Sequence, residues 1–193
     1  MPTSTDHRRA TAERNAVAIL DAAERLLGRG EPLTMVSVAG EARLSRPTVY
    51  AHYKSVGEIV EAAVERTVVA STAAFAAARP DEGPADAALE RMVAASWGQL
   101  AGSEGLVRRA GEYVSDGARH RTHGALIAPV EALVVRGRRQ GAFRTDVPVD
   151  WLITMYLALV HAAAEHAVVH DTPREAALAL LQRTIGELFS AAR

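Results

Sequence analysis

Apolar residues recur at every third or fourth position along almost the whole chain, and no segment alternates apolar and polar residues with a period of two. A helix places residues three and four apart on one face, whereas a half-buried strand needs strict alternation. The chain is therefore expected to be all-α. The pattern is clearest over residues 12–27, where one helix face would carry Ile19, Leu20, Ala23, Leu26 and Leu27.

Two short helices are predicted to follow this first helix, each beginning at a residue that caps helices. Thr34 can accept hydrogen bonds from the free amides of a helix over 35–42, and Ser45 can do the same for a helix over 46–52. Pro47 is tolerated there because a first-turn amide has no partner within its helix. The first fifty-five residues are thus expected to form a compact tri-helical head.

A long helix and a clear break come next. Ser55 and Glu58 have the spacing of a capping box, which predicts a helix from there to about residue 78. Residues 79–84 are rich in proline and glycine and break the pattern. The sequence therefore predicts a head over 1–55, a connecting helix over 56–78 and a helical body over 79–193.

The body is expected to contain five helices. Thr172 and Glu175 form a second capping box, with Pro173 at the first helical position, and Pro129 is expected to kink or split its helix. The predicted ranges are 84–101, 104–114, 118–139, 148–169 and 173–191.

Composition excludes several kinds of site. The chain has no cysteine, which rules out disulfides, thiolate zinc sites and cysteine nucleophiles. Its polar N-terminus does not resemble a secretory signal, and the apolar stretch 151–164 is short and interrupted by Thr154 and His161, so no membrane span is expected. Residues 1–55 carry eight basic and six acidic residues, whereas the rest carries fourteen and seventeen. A mildly basic head on an acidic body suits local contact of the head with DNA. The lack of cysteine, of a secretory signal and of a membrane span indicates a cytoplasmic protein.

The tri-helical head has the order and turn lengths of a helix-turn-helix unit, in which the third helix enters the major groove of DNA. Helix pairs with tight turns also occur in ordinary bundles. The residues themselves are more specific, because 33–55 resembles the DNA-binding segment of the TetR family, with a Ser-x-x-Thr-aliphatic-Tyr-x-x-aromatic core. That core is Ser45, Thr48, Val49, Tyr50 and Tyr53.

The resemblance covers about residues 12–64, since 19–23 and 58–60 are similar to the first and fourth helices of the family. It implies a homodimeric regulator with a DNA-binding head and a body that dimerises and binds a small molecule. Two residues depart from the family pattern: Arg43 stands where glycine is usual in the turn, and Pro47 where a residue without a ring is usual. Both suggest an altered operator preference.

The expected DNA contacts lie on and around the third helix. Arg46 can span to a guanine edge or grip phosphate, and Thr48 can reach a base edge or a thymine methyl. Arg8, Arg9 and Arg14 could reach DNA from a flexible arm or be a solvated tail. Tyr50 and Tyr53 could instead be core aromatics. The full set of predicted contacts is Thr34, Ser45, Arg46, Pro47, Thr48, Tyr50, His52, Tyr53 and Lys54.

The last two helices are expected to dimerise. The helix over 151–169 is apolar nearly all round and needs cover on more than one side. A preceding Gly-x-Phe-Arg-x-Asp stretch, 141–146, is similar to one found before these helices in the TetR family, whose resemblance implies an intermolecular four-helix bundle. Burial within one chain is the alternative. The predicted interface residues are Trp151, Leu178, Leu181, Ile185 and Leu188.

A small-molecule site is expected in the body, where aromatic and polar groups stand on apolar helices. The residues proposed for it are Trp97, Tyr113, Tyr156 and His161, each of which could also be an ordinary core or interface residue. His161, Glu165 and His166 do not share one helix face, and His120 with His123 lacks a third ligand, so a metal site is not favoured. No cofactor is expected.

The functional prediction is a ligand-responsive regulator, a repressor that binds a palindromic operator as a homodimer and is released by a small-molecule effector. The alternative is a helical ligand-binding or scaffolding protein without operator binding, which Arg43, Pro47 and the weak positive charge would suit. An all-helical enzyme is the third possibility. It is disfavoured because the sequence has no glycine-rich phosphate loop, no Gly-x-Ser-x-Gly and no His-Glu-x-x-His motif.

Overall fold

A computed structural model describes residues 4–100, 104–113 and 116–191 of the chain. Within them the secondary structure is helical apart from one isolated bridge between Phe143 and Ser190, so the all-α prediction is confirmed. The helices are α1 (Ser4–Gly28), α2 (Met35–Ala42), α3 (Arg46–His52), α4 (Val56–Ala77), α5 (Ala85–Leu100), α6 (Glu104–Arg109), α7 (Asp116–Arg139), α8 (Val149–Val169) and α9 (Arg174–Phe189).

Helix α1 begins two turns earlier than the apolar pattern indicates. Its first turns are polar and are held by local contacts: Arg9 and Glu13 pair at 3.0 Å, and the Thr11 hydroxyl donates to the carbonyl of His7 at 2.9 Å. Pairs spaced four apart stabilise exposed helix turns modestly. Of the two alternatives for Arg8, Arg9 and Arg14, the flexible arm is therefore wrong, since all three lie within α1.

The caps of the head follow the sequence prediction with one variation. Thr34 caps α2 and exchanges hydrogen bonds with Ser37, while Ser45 caps α3 by accepting from the Thr48 amide at 3.2 Å. Ser55 accepts from the Glu58 amide at 3.2 Å, but the Glu58 carboxylate reaches the amide of Lys54 rather than that of Ser55. Side chains thus satisfy free amides at the start of all three helices.

The start of α9 differs from the prediction. Pro173 is the N-cap and no side chain caps the helix, so the proposed box of Thr172 and Glu175 is not formed. The Thr172 amide instead bonds to the carbonyl of Ala167 at 3.0 Å, and Asp171 has φ 48°, which closes the end of α8. Thr172 therefore belongs to the preceding turn, and α9 begins one residue later.

Two further boundaries differ from the sequence expectation. The predicted helix 104–114 is a short α6 followed by a 3-10 turn at Ala110–Glu112. Helix α7 continues through Pro129 without interruption, so the helix is not split there.

Contacts divide the chain into two compact units, each made of two stretches. Unit 1 comprises Met1–Arg66 and Gly105–Arg119, and unit 2 comprises Thr67–Glu104 and His120–Arg193. This differs from the linear division expected from the sequence, because the segment containing α6 packs with the head although both neighbouring segments belong to unit 2. The buried core of unit 1 includes Ile19, Leu26, Leu27, Val38, Val49, Ile59 and, from α6, Leu106.

Unit 2 is built around α5, α7, α8 and α9, and its core includes Met92, Val134, Leu152, Tyr156, Ile185 and Phe189. The 141–146 stretch joins α7 to this core. Phe143 is buried with its ring edge on Phe189 at 5.7 Å between centroids, and Arg144 pairs with Asp146 at 2.6 Å. A Cβ on Gly137 would overlap the Phe143 ring, so this part of α7 needs glycine for close packing.

Two arginines fix the break between α4 and α5 within unit 2. The Arg91 guanidinium donates to the carbonyls of Ala78, Arg79 and Glu82 at 2.8 to 2.9 Å. Arg136 donates to the carbonyls of Pro80 and Gly83 at 2.7 and 2.6 Å. The predicted break at 79–84 is therefore an ordered turn in which arginine side chains satisfy backbone carbonyls.

Candidate nucleic-acid interface and effector cavity

Helix α3 is anchored by one face and leaves the other open. Val49 is fully buried in the core of unit 1, whereas Tyr50 beside it is 53% exposed. The Ser45 hydroxyl accepts from the Thr48 amide and also lies 2.7 Å from the Thr48 hydroxyl. These contacts fix the backbone of the first turn of α3, from which its outer side chains project.

The predicted DNA contacts divide by exposure. Thr48, His52 and Tyr53 are half-buried. Tyr53 packs against the core of unit 1, and this burial raises the pKa of its hydroxyl. Of the two tyrosines that could be either DNA contacts or core aromatics, Tyr53 packs on the core and Tyr50 is exposed. The remaining predicted contacts are exposed: Thr34, Ser45, Arg46, Pro47, Tyr50 and Lys54.

The cations of unit 1 fall into a paired and an unpaired group. Arg25 and Arg29 both pair with Glu41, at 2.7 and 2.8 Å, and their guanidinium groups lower the pKa of that carboxyl to about 2. Arg66 bridges two acids of α1, Asp21 at 2.7 Å and Glu24 at 2.9 Å.

Arg43, Arg46 and Lys54 form the unpaired group. They lie before, at the start of and after α3, and all three are exposed. Their side chains make no hydrogen bond or ion pair within the part of the chain that the structure describes. Positive charge without an acidic partner among the described residues therefore lies before, at the start of and after α3, as it also does at Arg14 on α1, whose guanidinium donates to the Thr11 hydroxyl.

Arg43 occupies a left-handed backbone conformation, with φ 56° and ψ 38°, at the end of α2. Its amide donates to the carbonyls of Ala39 and Gly40 and so closes the helix. A non-glycine residue in this region costs about 1 to 2 kcal/mol. The turn at Arg43 thus has the left-handed backbone that glycine adopts most easily, and arginine adopts it here at a conformational cost.

The residues predicted for dimerisation do not lie on one surface. Leu181 and Ile185 are buried in the core of their own chain, and Leu178 and Leu188 are half-buried against it. Trp151 is 53% exposed. The apolar stripe of α9 therefore packs largely on its own chain, and the exposed large apolar side chains of the two helices are Trp151, Val168 and Val169 on α8 and Leu180 on α9.

The four predicted ligand residues are not brought together. Trp97 and Tyr156 are buried in unit 2, His161 is exposed on α8, and Tyr113 packs against the core of unit 1. Tyr113 does not line the unit 2 cavity described below. The side chains of His120 and His123 lie outside the described residues.

Tyr156 makes a buried hydroxyl pair with Ser96 at 2.6 Å. Burial raises the pKa of Tyr156 to about 12, because the phenolate would lose its hydration; the bond to Ser96 acts in the opposite direction. These hydroxyl groups satisfy each other, which favours a structural role for the pair.

This pair predicts a loss of stability in alkali. The pKa of Tyr156 is about 12 in the folded protein, whereas a tyrosine in the unfolded chain has a pKa near 10. The neutral hydroxyl therefore contributes its full stabilisation below pH 10, and this contribution is lost as the pH rises from 10 to 12. Between these values the free energy of unfolding should fall by about 1 kcal/mol per pH unit from this group. Urea unfolding from pH 8 to 11 measures the slope. Tyr156→Phe should flatten it, and an unchanged slope in that variant would contradict the assignment.

Unit 2 contains a cavity of about 400 Å³ where α8 ends and α9 begins. Trp97, one of the four predicted ligand residues, lines this cavity. The other lining residues are Ala164, Ala167, Val168, Asp171, Thr172 and Arg174. Sequence patterns did not single these out because they come from the end of one helix and the turn after it, which meet Trp97 only in the folded unit.

Solved structures share this fold. A bacterial regulatory protein in the TetR family from Rhodococcus RHA1 superposes with a TM-score of 0.80 at 17% identity, over 93% of this chain and 98% of that one. The TetR-like regulator LfrR from Mycobacterium smegmatis, in complex with proflavine, gives 0.70 at 23% identity, over 91% and 96%. FadR from Bacillus subtilis, in complex with stearoyl-CoA, gives 0.72 at 15% identity, over 89% and 96%.

No family model and no curated protein matches the sequence. The structural matches nevertheless extend over nearly the full length of both chains, so the similarity includes the head and the body. The chain has the fold of the TetR-family transcriptional regulators.

Proposed function

Since the chain shares the fold of TetR-family regulators, we propose that it is a cytoplasmic, ligand-responsive repressor that binds a palindromic operator as a homodimer. The observation that carries this proposal is the environment of α3: a helix anchored by Val49, with an open face at Tyr50 and unpaired cations at Arg43, Arg46 and Lys54. Such a helix suits the major groove, with cations placed to meet phosphates on either side.

A gel-shift titration against the DNA flanking the coding region tests this function. If arginines, Lys54 and helix-terminal amides contact phosphates, the logarithm of affinity should fall with the logarithm of salt concentration with a slope magnitude of about 4 to 8 for the dimer. Random DNA of equal length is the control and should bind more weakly. A flat salt response would favour the alternative, a ligand-binding or scaffolding protein without operator binding.

Dimerisation is supported by the exposed side of α8. By length and composition this helix, with a mean hydropathy of 1.5, could cross a membrane, yet only 28% of its most apolar window is buried in the chain. One face packs in the core through Leu152, Tyr156 and Val160, while Trp151 stands outside it. A second copy of the chain that covered the exposed face of α8, which carries Trp151, would remove that apolar surface from water. The resulting dimer would have the two DNA-binding heads that a palindromic operator requires.

Replacing Trp151 with glutamate should therefore break the dimer. Light scattering at micromolar concentration should give a dimer for the unmodified protein and the 20.6 kDa monomer for the variant, because a charge would be buried at the contact. Val17→Glu is a matched control, since Val17 is similarly exposed but lies on α1. A monomeric unmodified protein would contradict the interface and the two-headed mechanism together.

The proposed release mechanism follows from DNA geometry. Two recognition helices enter successive major grooves only when they lie about 34 Å apart. An effector that binds more tightly to a dimer with another spacing shifts the population away from the DNA-binding form. LfrR and FadR were each solved with a small molecule, which supports the proposal that this chain also responds to one.

A further inference from the structure

We propose that α3 recognises thymine by its C5 methyl group, and that Pro47 and Ala51 make this contact. The proposal rests on the proposed function and deepens it, because it names the base chemistry that the operator must present. The exposed side chains of α3 and the free charge around the helix support it.

The open side of α3 is one continuous arc. Successive residues of a helix are turned by about 100°, so the exposed residues of α3 span roughly 140° of its circumference. In order around the helix, this arc carries Arg46, Tyr50, Pro47 and Ala51. The remaining residues of α3 are buried or half-buried on the other side, with Val49 in the core of unit 1. The arc is therefore the surface of α3 that can enter a groove of DNA.

Most of this arc cannot read a base through hydrogen bonds. Pro47 has no polar side-chain atom and no backbone N–H, and the side chain of Ala51 is a methyl group. Tyr50 offers a ring and one hydroxyl, so Arg46 is the residue of the arc that can make two parallel hydrogen bonds to a base. In the major groove the base edges present polar atoms and one apolar group, the C5 methyl of thymine. An exposed apolar strip thus matches thymine and gains nothing from cytosine.

The charge around the arc favours DNA as the occupant of this face. An exposed apolar strip alone would suit a protein partner equally well. However, Arg43 and Lys54 lie on the two sides of α3, and both are exposed without an acidic partner among the described residues. Such cations complement the phosphates that border a major groove. Arg46, at one edge of the arc, can span to a guanine, so the expected half-site has one or two thymines beside a guanine.

Replacing thymine with uracil in the operator tests this proposal, because uracil keeps every pairing group of thymine and lacks only the methyl. The protein first selects its operator from random-sequence DNA, and the selected site is then synthesised with uracil at one thymine position at a time, in both half-sites. Uracil at a contacted position should weaken binding about fourfold per half-site, the gain from burying one methyl group, or roughly 15-fold for the symmetric site. Uracil at other positions should leave the affinity unchanged.

Two variants assign the methyl contact to its residues. Pro47→Ser and Ala51→Ser each place a hydroxyl on the arc, so each should bind the thymine and uracil forms equally at the position that its residue contacts. Both residues are exposed, and the variants should stay folded. Lys54→Ala is the matched control, because loss of a phosphate contact should weaken both forms alike and keep their ratio.

Methyl reading and operator binding fail separately in these experiments. A selected half-site without thymine, or one that binds equally well with uracil at every position, would overturn methyl reading and leave the proposed regulator standing. A thymine preference that both serine variants retain would assign the effect to DNA shape and overturn it too. If the protein selects no sequence, operator binding itself is overturned, and methyl reading with it.

Discussion

Replacing Arg46 with alanine is expected to weaken binding to the preferred operator by about 1 to 3 kcal/mol, or roughly 5- to 150-fold, and to relax discrimination at one base pair of each half-site. Arg46 is the first residue of α3, exposed and without an ion pair among the described residues. No described residue holds its guanidinium by a hydrogen bond or an ion pair, so the group is free to reach a guanine edge. Its loss should therefore remove a contact that reads sequence.

Lys54→Ala is the matched comparison. Lys54 is equally exposed but follows α3, where a compact ammonium can meet only the DNA backbone. It should weaken binding to all sequences alike and reduce the salt slope by about 1 per head. Both variants should keep their stability within about 0.5 kcal/mol, since neither side chain is a cap or part of the core.

A panel of single-base operator variants at two salt concentrations distinguishes the two residues. An unchanged preference profile in Arg46→Ala would make that arginine a phosphate contact. Base reading would then be reassigned to Thr48, Tyr50 or His52. The Thr48 hydroxyl is already bonded to Ser45, so this residue would offer chiefly its methyl group.

Replacing Gly105 with alanine is expected to destabilise unit 1 by about 2 kcal/mol or more. A Cβ at this position would overlap the backbone N and Cα of Gly28 and lie 2.6 Å from the carbonyl carbon of Leu27. These are main-chain atoms at the end of α1, so no rotamer change can relieve the overlap, and overpacking of this kind costs about 1 to 3 kcal/mol or more. The melting temperature should fall by roughly 5 to 10 °C.

Gly98→Ala is the control for that experiment. Gly98 also lies within a helix, and a Cβ there would meet nothing within 4 Å. The substitution should raise stability by about 0.5 to 1 kcal/mol, because alanine favours the helix over glycine. Equal effects of the two substitutions, measured by urea and thermal unfolding, would argue against the close approach of α6 to α1.

Local signals predicted most of the fold. Thr34 and Ser45 were identifiable as caps because a cap acts on amides within three residues, and Arg43 was recognised as a residue in a tight turn. The same reasoning wrongly predicted Thr172 as a cap of α9, because the Thr172 amide donates to the Ala167 carbonyl in the turn that ends α8. A capping sequence cannot show that a neighbouring helix end needs the same residue.

The non-local features could not be obtained in this way. Helical periodicity identified the stripe containing Leu181 and Ile185 as a face to be buried, but not whether its own chain or a second copy buries it. Nor could it show that Tyr113 and Trp97 would pack in different units. The cavity depends on residues that only tertiary packing brings together, although Arg174 is visible in the sequence as a charge at a helix start.

The packing of α6 in unit 1 also has a consequence for the order of folding during synthesis. The core of the head includes Leu106, yet residues 67–104, which belong to unit 2, are made first. At about 5 to 20 residues per second, these 38 residues take roughly 2 to 8 s to translate. Throughout that interval the nascent head has an incomplete core. The core of the head is therefore complete only after α5 has been made, and we expect a fragment that ends before residue 105 to be less stable than the head of the full chain.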